Sequence, residues 1–327
     1  MNSAALKAAV SITLRWNYRV WGFGEAIALR GLLQAGDLLG DPTPFGFVYG
    51  ILRGWLGKGV ARSNEDHVGA GRELLALYRR TQDEQFLDAA RKLAALNASF
   101  PAGANAERYH RGDTPGWRWQ IWVDCMDVDG PFLAALAHAT GDDRYFDQAV
   151  GELLGYARTL QTDSGLLFHG FERYCGTNGE LWARGNGWAL MGLVDTLILL
   201  PKSHRAWNEL QQRTIALADA LAGTQDASGM WHTVIDATDT YLESTLATMA
   251  AYALHEAFKH GVLDSSRYEE MERKARAAMH AQVKDGTLQL VSDATPVGAR
   301  AVYATRPFGT FPWGQGPLLL ALCQEIQ

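Results

Sequence analysis

The stretch PFLAALAHATGDDRYFDQAVGELLGYARTL, Pro131 to Leu160, is where the fold becomes readable. Apolar residues recur every three to four positions on both sides of Gly141-Asp142-Asp143, the spacing of two amphipathic helices joined by a tight turn. The same pattern surrounds Gly40-Asp41-Pro42, which leads into FGFVYGILRGW, and Gln82-Asp83-Glu84, which leads into QFLDAARKLAAL. Two looser copies turn at Pro201, between WALMGLVDTLILL and WNELQQRTIALADALAG, and at Gly261, between TLATMAAYALHEAFKH and SRYEEMERKARAAMHAQV. GPLLLALCQEIQ supplies the first helix of a sixth copy. With turns at 40, 82, 141, 201 and 261, the intervals are 42, 59, 60 and 60 residues, room for two helices and a loop in each. The expected fold is all-α, an (α/α)6 barrel of six helical hairpins with the N-terminal segment completing the ring. An open α-solenoid is the alternative, although its repeats are shorter and more uniform. No Pro/Gly/Ser linker divides the chain, so residues 1–327 read as a single domain.

The composition fits such a body. In 327 residues, 47% are hydrophobic and 20% charged, enough to bury a sizeable core. A net charge of −6 gives no electrostatic reason to bind nucleic acid or an anionic membrane. No run of eighteen apolar residues offers a transmembrane helix. The opening MNSAALKAAVSITLRWNYRV lacks a secretory cleavage pattern, so a cytoplasmic location is expected. Cys125, Cys175 and Cys323 are odd in number and far apart, which describes neither a disulfide framework nor a thiolate metal site. The informative excess is 11 Trp beside 34 Gly. Carbohydrate clefts use both the indole ring and its N–H.

Counting sixteen to eighteen residues back from each turn reaches the start of the first helix in each pair. If the copies are equivalent, these starts share one end of the barrel. They read WGFGE (Trp21–Glu25), NEDHVG (Asn64–Gly69), WVDCMD (Trp122–Asp127), WARGNGW (Trp182–Trp188), YLEST (Tyr241–Thr245) and FPWGQG (Phe311–Gly316). Helix N-termini direct unpaired N–H groups and positive dipole ends at one place, which favours anionic groups there. An Asp, Asn, Glu or Ser before an apolar helix is, taken singly, most often a cap. Trp182 and Trp188 are unnecessary for capping, though either fits a core.

Asp66 and Asp124 lie 16 and 17 residues before their turns, so a barrel holds them at similar height on adjacent hairpins. Paired carboxylates in different surroundings divide acid and base roles, and Trp122 is placed to desolvate Asp124. Glycoside chemistry is one use of such a pair. Other templates fail. EF-hand spacing through Asp124, Asp127 and Asp129 places Cys125 and Leu136 at ligand positions, and no H-E-x-x-H, Walker A or G-x-S-x-G string occurs. His169, in the loop LLFHGFERY sixteen residues before RGNGW, stands apart from the scattered histidines His138, His204, His255 and His280, which read as surface or core.

Together, NEDHVG, WVDCMDVDGPFLA, the HGFERY loop and LWARGNGWALMGLVDTL resemble glycoside hydrolase family 105, the unsaturated rhamnogalacturonyl hydrolases, and more distantly family 88, the unsaturated glucuronyl hydrolases. The similarity in order and spacing runs from about Trp16 to Leu322. It implies an (α/α)6 barrel and an enzyme acting on small oligosaccharides left by polysaccharide lyases, whose non-reducing end carries a C4=C5 double bond. Such enzymes hydrate the vinyl ether, and the resulting hemiketal opens to release the aglycone. By that resemblance Asp124 is the acid/base and Asp66 the second essential carboxylate. His169, Arg184, Trp182 and Trp188 fall at positions that line the uronyl subsite, with Trp122 beside the acid and His67 near the cleft as further substrate-binding candidates; Arg184 is suited to a carboxylate and the indoles to a sugar face. Proton transfer of this kind implies no metal and no organic cofactor.

The chain departs from the family after Asp124, where Val128 replaces a larger side chain and Asp127 and Asp129 add charge. Facing the cleft, Asp127 repels an anionic substrate; facing away, it costs only packing. Three competing readings keep the helical repeat and change what it does. They are a saturated uronosidase, a sugar epimerase built on histidines, and a carbohydrate-binding helical repeat whose Asp residues are caps.

Overall fold

A computed structural model describes residues 3–18, 23–59, 69–111 and 115–326. In chain order the helices are α1 (Ser3–Thr13), α2 (Phe23–Leu39), α3 (Pro42–Leu56), α4 (Gly71–Thr81), α5 (Glu84–Ser99), α6 (Cys125–Thr140), α7 (Arg144–Leu160), α8 (Ala183–Leu199), α9 (Trp207–Thr224), α10 (Ser244–Lys259), α11 (Ser265–Ala281), α12 (Arg300–Ala304) and α13 (Pro312–Gln324). Helices α2, α4, α6, α8, α10 and α13 pack each on the next, and α13 closes onto α2. The helices that follow them form an outer layer, with α1 against α13 in the sixth outer place. This is the barrel of hairpins that the repeat predicts.

The turns form for the reasons visible in the sequence. Gly141 ends α6 with φ 71° and Gln82 ends α4 with φ 57°, both in the left-handed region that closes a helix. The Asp after the turn then serves the next helix. Asp41 accepts from the amide of Thr43, Asp83 from Gln85 and Asp264 from Ser266, at 2.9–3.0 Å.

Inner and outer helices differ in what they bury. On α7 Phe146, Ala149, Val150, Leu153, Ala157 and Leu160 are buried while Arg144, Asp147 and Arg158 are exposed, so the helix keeps a solvent side even though 152–157 are all covered. On α8 every residue from Ala183 to Leu197 is buried, because the helix meets two inner neighbours, the outer layer and the barrel axis. Such crowding requires missing side chains. A Cβ on Gly192 would lie 2.2 Å from the Met126 carbonyl oxygen of α6, and one on Gly316 would lie 2.7 Å from the Ala28 amide of α2.

The barrel interior is held by charge. From α8, Asp195 Oδ2 accepts from Arg30 Nη1 of α2 at 2.9 Å and from Arg72 Nη1 of α4 at 2.7 Å. Its Oδ1 accepts from the Tyr252 hydroxyl of α10 at 3.2 Å. Asp127 of α6 lies 4.0 Å from Arg72, and Glu73 of α4 is buried beside the same arginines. Burial pushes the Asp127 carboxyl up and the Glu73 carboxyl up to about 7, with Arg30 and Arg72 opposing both shifts. Burial acts on Asp195 too, yet Arg72 and Arg30 outweigh it and hold that carboxyl below its ordinary value. Asp127 therefore sits against cations.

Replacing Asp195 by Asn removes the carboxylate that both guanidinium groups contact most closely and leaves only the more distant Asp127 and Glu73 to oppose their charge. We expect a loss of about 3–5 kcal/mol in equilibrium denaturation, the usual cost of removing one partner of a buried pair. For Glu73, a folded-state pKa raised from 4.5 to about 7 means that its penalty is absent below 4.5 and complete above 7. Glu73→Gln is accordingly expected to melt near the wild-type temperature at pH 5 and above it at pH 8.

Candidate active site

The ring of inner-helix starts is chemically unlike the opposite end of the barrel. Where described, the starts of α4, α6, α8, α10 and α13 have no side-chain cap, whereas three of the five outer helices α3, α5, α7, α9 and α11 are capped by Asp, namely α3, α5 and α11. Asp124 occupies the cap position of α6 in αR conformation with its carboxylate uncommitted to the helix. The capping explanation fails for this residue.

A small sheet positions Asp124. Strand β1 (Gln120–Trp122) pairs antiparallel with β2 (Gly170–Glu172), Trp122 opposite Gly170, and β2 continues to β3 (Gly176–Thr177). The Val123 amide donates to the His169 carbonyl at 2.9 Å, so residues far apart in sequence emerge side by side. His169 Nε2 consequently lies 3.2 Å from Asp124 Oδ2, with both residues buried. The ring N–H is not aimed along that line, and both atoms retain hydrogen-bonding capacity.

On its other side His169 Nδ1 is 2.6 Å from the Tyr303 hydroxyl. That oxygen accepts from Asn178 Nδ2 at 2.8 Å and from the Gly298 amide at 3.4 Å, which leaves its own hydrogen for Nδ1. The imidazole proton is thereby assigned to Nε2, the ring nitrogen nearer Asp124. Burial pushes the Tyr303 phenol up, so it keeps the proton it donates.

Aromatic rings wall the pair. Trp182, at the cap position of α8, lies 4.3 Å from the His169 ring at a 40° tilt, and its indole N–H is buried without a partner among the described residues. Trp122 meets His169 edge-on at 5.5 Å and stacks on His110 at 4.3 Å and 4°. Trp117 tilts over both, 5.5 Å from His110 and 5.1 Å from Trp122. His110 Nδ1 also lies 3.3 Å from Cys125 Sγ.

The other expected residues have different fates. Arg184 is not poised as a carboxylate clamp. Its Nη1 donates to Glu243, the Ser292 carbonyl (3.0 Å) and the Ser292 hydroxyl (2.9 Å), and its Nη2 to the Asp293 carbonyl (2.9 Å) and Thr295 (3.1 Å). The guanidinium also packs over Trp182 at 4.5 Å. It binds the 292–295 loop to α8 because Glu243, fully buried, needs a counter-charge. Trp188 belongs to the main apolar core. Asp129 accepts from the Tyr156 hydroxyl at 2.8 Å, towards α7. Asp66 and His67 lie outside the described residues.

Sequence reasoning missed Tyr303, Asn178 and Glu243, whose pairings span 134, 125 and 59 residues. It also passed over YHRGDTPGWRWQ, Tyr109 to Gln120, although two Trp, one His and two Arg in twelve residues just before Asp124 were a usable signal.

Comparison with known proteins gives the family and the fold. A family model described as Glycosyl Hydrolase Family 88 matches residues 6–327. The chain is 25% identical over 320 residues to the unsaturated rhamnogalacturonyl hydrolase YesR of Bacillus subtilis, covering 94% of this chain and 90% of that one. It is 27% identical over 255 residues to an unsaturated 3S-rhamnoglycuronyl hydrolase of Formosa agariphila, covering 73% and 64%. In fold, it superposes on a possible family 105 member from Salmonella enterica with a TM-score of 0.87, at 22% identity, covering 100% of this chain and 94% of that one. The unsaturated glucuronyl hydrolase of Bacillus sp. GL1 gives 0.76 at 18% identity, covering 99% and 97%. The resemblance read from the motifs is thus borne out across nearly the whole chain.

The histidine tautomer can be read directly. Nitrogen-15 NMR of the folded protein is expected to show His169 with an unprotonated Nδ1 and a protonated Nε2. In Tyr303→Phe, Nδ1 loses its donor and its resonance should shift towards a mixed-tautomer position; an unchanged spectrum refutes the assignment.

Proposed function

The chain belongs to glycosyl hydrolase family 88, and on that footing we propose that it removes a 4,5-unsaturated uronyl residue from the non-reducing end of lyase-generated oligosaccharides. The observation that carries the proposal is the Asp124–His169 contact at an uncapped helix start, walled by Trp122 and Trp182. The names of the Bacillus and Formosa relatives, both hydrolases of unsaturated uronyl substrates, support the same choice.

In this reading Asp124 enters the cycle protonated and gives its proton to C4 of the vinyl ether. Positive charge develops at C5, stabilised by the ring oxygen, and water adds there while losing a proton to the Asp124 carboxylate. The product is a hemiketal that opens and expels the aglycone. Hydration therefore consumes one water and returns Asp124 to its starting state. His169, whose Nε2 proton is set by Tyr303, steadies the carboxylate in its ionised phase and orients it towards the sugar. Trp182 and Trp122 exclude bulk water and offer faces to the ring. Asp66, as the second carboxylate, holds substrate hydroxyls or the attacking water, and His67 adjoins it.

The uronate carboxylate is met by groups other than a free Arg184. One contribution fits: the amides at those inner-helix starts that carry no side-chain cap, because the Arg184 charge is already matched by Glu243. Arg184 is then a positioning residue that fixes Trp182 and the 292–295 loop.

The test is to supply an unsaturated uronyl disaccharide and follow the near-ultraviolet absorbance of its double bond. Wild type is expected to abolish the signal, and Asp124→Asn to lower kcat by at least ~100-fold, the scale of a lost general acid. Release from a saturated glucuronide with the double bond left untouched would overturn the proposal in favour of a conventional uronosidase.

A further inference from the structure

The β1–β2 sheet has two faces, and the reaction uses one. Trp122 and Gln120 share a face, joined by a 2.8 Å hydrogen bond from the indole to the Gln120 side chain. Strand alternation turns Ile121 and its partner Phe171 to the other face, away from Trp122. There a cavity of about 570 Å³ opens between the sheet, the 102–105 turn and the end of α7, with Phe171, Tyr109, Thr159 and Arg173 in its lining.

Three features coincide at this cavity. Arg173 is exposed and, among the described residues, has no carboxylate at ion-pair distance and no hydrogen bond from its guanidinium. The guanidinium is held by rings, 5.0 Å from the centre of Trp119 and 5.7 Å from that of Tyr174. Tyr174, at the β2–β3 turn, is 75% exposed, more than any other large hydrophobic side chain described. The nearby acids, Glu107 of the cavity lining among them, keep their charge and are aimed at neutral donors rather than at the guanidinium. Glu107 accepts from the Asn105 amide and the Thr159 hydroxyl, both at 2.8 Å, and Glu172 from the amides of Tyr174 and Cys175 at 2.9 and 3.0 Å. A fixed, unpaired guanidinium above an aromatic-edged hollow is suited to a carboxylate on a sugar ring.

We propose that this cavity is a second, non-catalytic saccharide site that takes a uronate residue, its carboxylate on Arg173 and its ring against Phe171, with Tyr174 at the edge beside the guanidinium. A chain of uronates is then held on the outer face of the sheet independently of the end being processed.

The experiment is isothermal titration with saturated trigalacturonate, which has no double bond to be hydrated. Wild type is expected to bind saturably. Arg173→Gln, an exposed substitution whose folding is checked by thermal melting, should bind roughly tenfold more weakly or worse, while turnover of an unsaturated disaccharide stays unchanged. Tyr174→Ala should weaken binding in the same assay. The proposal is overturned by no saturable binding, by equal affinity in Arg173→Gln, by equal binding of neutral maltotriose, or by loss of turnover in step with loss of binding. Failure of the catalytic reading shows separately, as absence of turnover in wild type, and leaves the titration intact.

Discussion

A single carboxylate ties the barrel together across its axis. Asp195 receives two guanidinium groups and a phenol from three other inner helices, and Asp127 attaches a fifth helix through Arg72. Apolar packing alone is nondirectional and tolerates small rotations of a helix about its own axis. Charge-assisted bonds at 2.7–2.9 Å do not. Because α4, α6 and α8 begin at the candidate site, the rotation fixed in the interior also sets where their first residues point. Burying this much charge is unfavourable unless it is matched, and the raised Glu73 and Asp127 carboxyls show that the matching is incomplete.

The two ends of the barrel divide labour. At one end, aspartates satisfy the first amides of α3, α5 and α11, a purely structural use of the residue. At the other, the inner helices start without such caps and the acid at the head of α6 is directed at a histidine. The same residue type closes a helix in one place and meets an imidazole in the other, and cap geometry distinguishes them. Arg184 makes a related point. Its buried partner Glu243 and the 292–295 loop take up its terminal nitrogens, so its position at the site reflects construction of the wall.

How much of this was legible follows from the range of each interaction. The hairpins were readable because Gly141-Asp142, Gly40-Asp41 and the helical spacing around them are local signals. Asp124 and His169 were readable because each lies in a distinctive motif. The hydrogen bond that orients His169 was not, since Tyr303 comes from a short helix with no periodic pattern around it. Nor was the occupation of Arg184, because its motif says where the guanidinium is and nothing about which carboxylate meets it. Trp188 looked like a subsite residue for the same reason, whereas the inner helix buries it in the core. The excess glycine has a steric origin where α8 crosses α6 and α13 crosses α2.

The three-residue pairing of β1 with β2 carries a consequence in the arithmetic of insertions. Pairing Trp122 with Gly170 places alternate residues on opposite sides, so parity decides which side chain the site receives. Slipping β1 by one residue against β2 would present Ile121 to His169 and send Trp122 outward; a slip of two would restore the original pattern of faces. Length changes in the 102–119 segment are taken up by the loop and leave these faces alone, whereas a one-residue insertion inside β1 or β2 would mark a site that has been rebuilt.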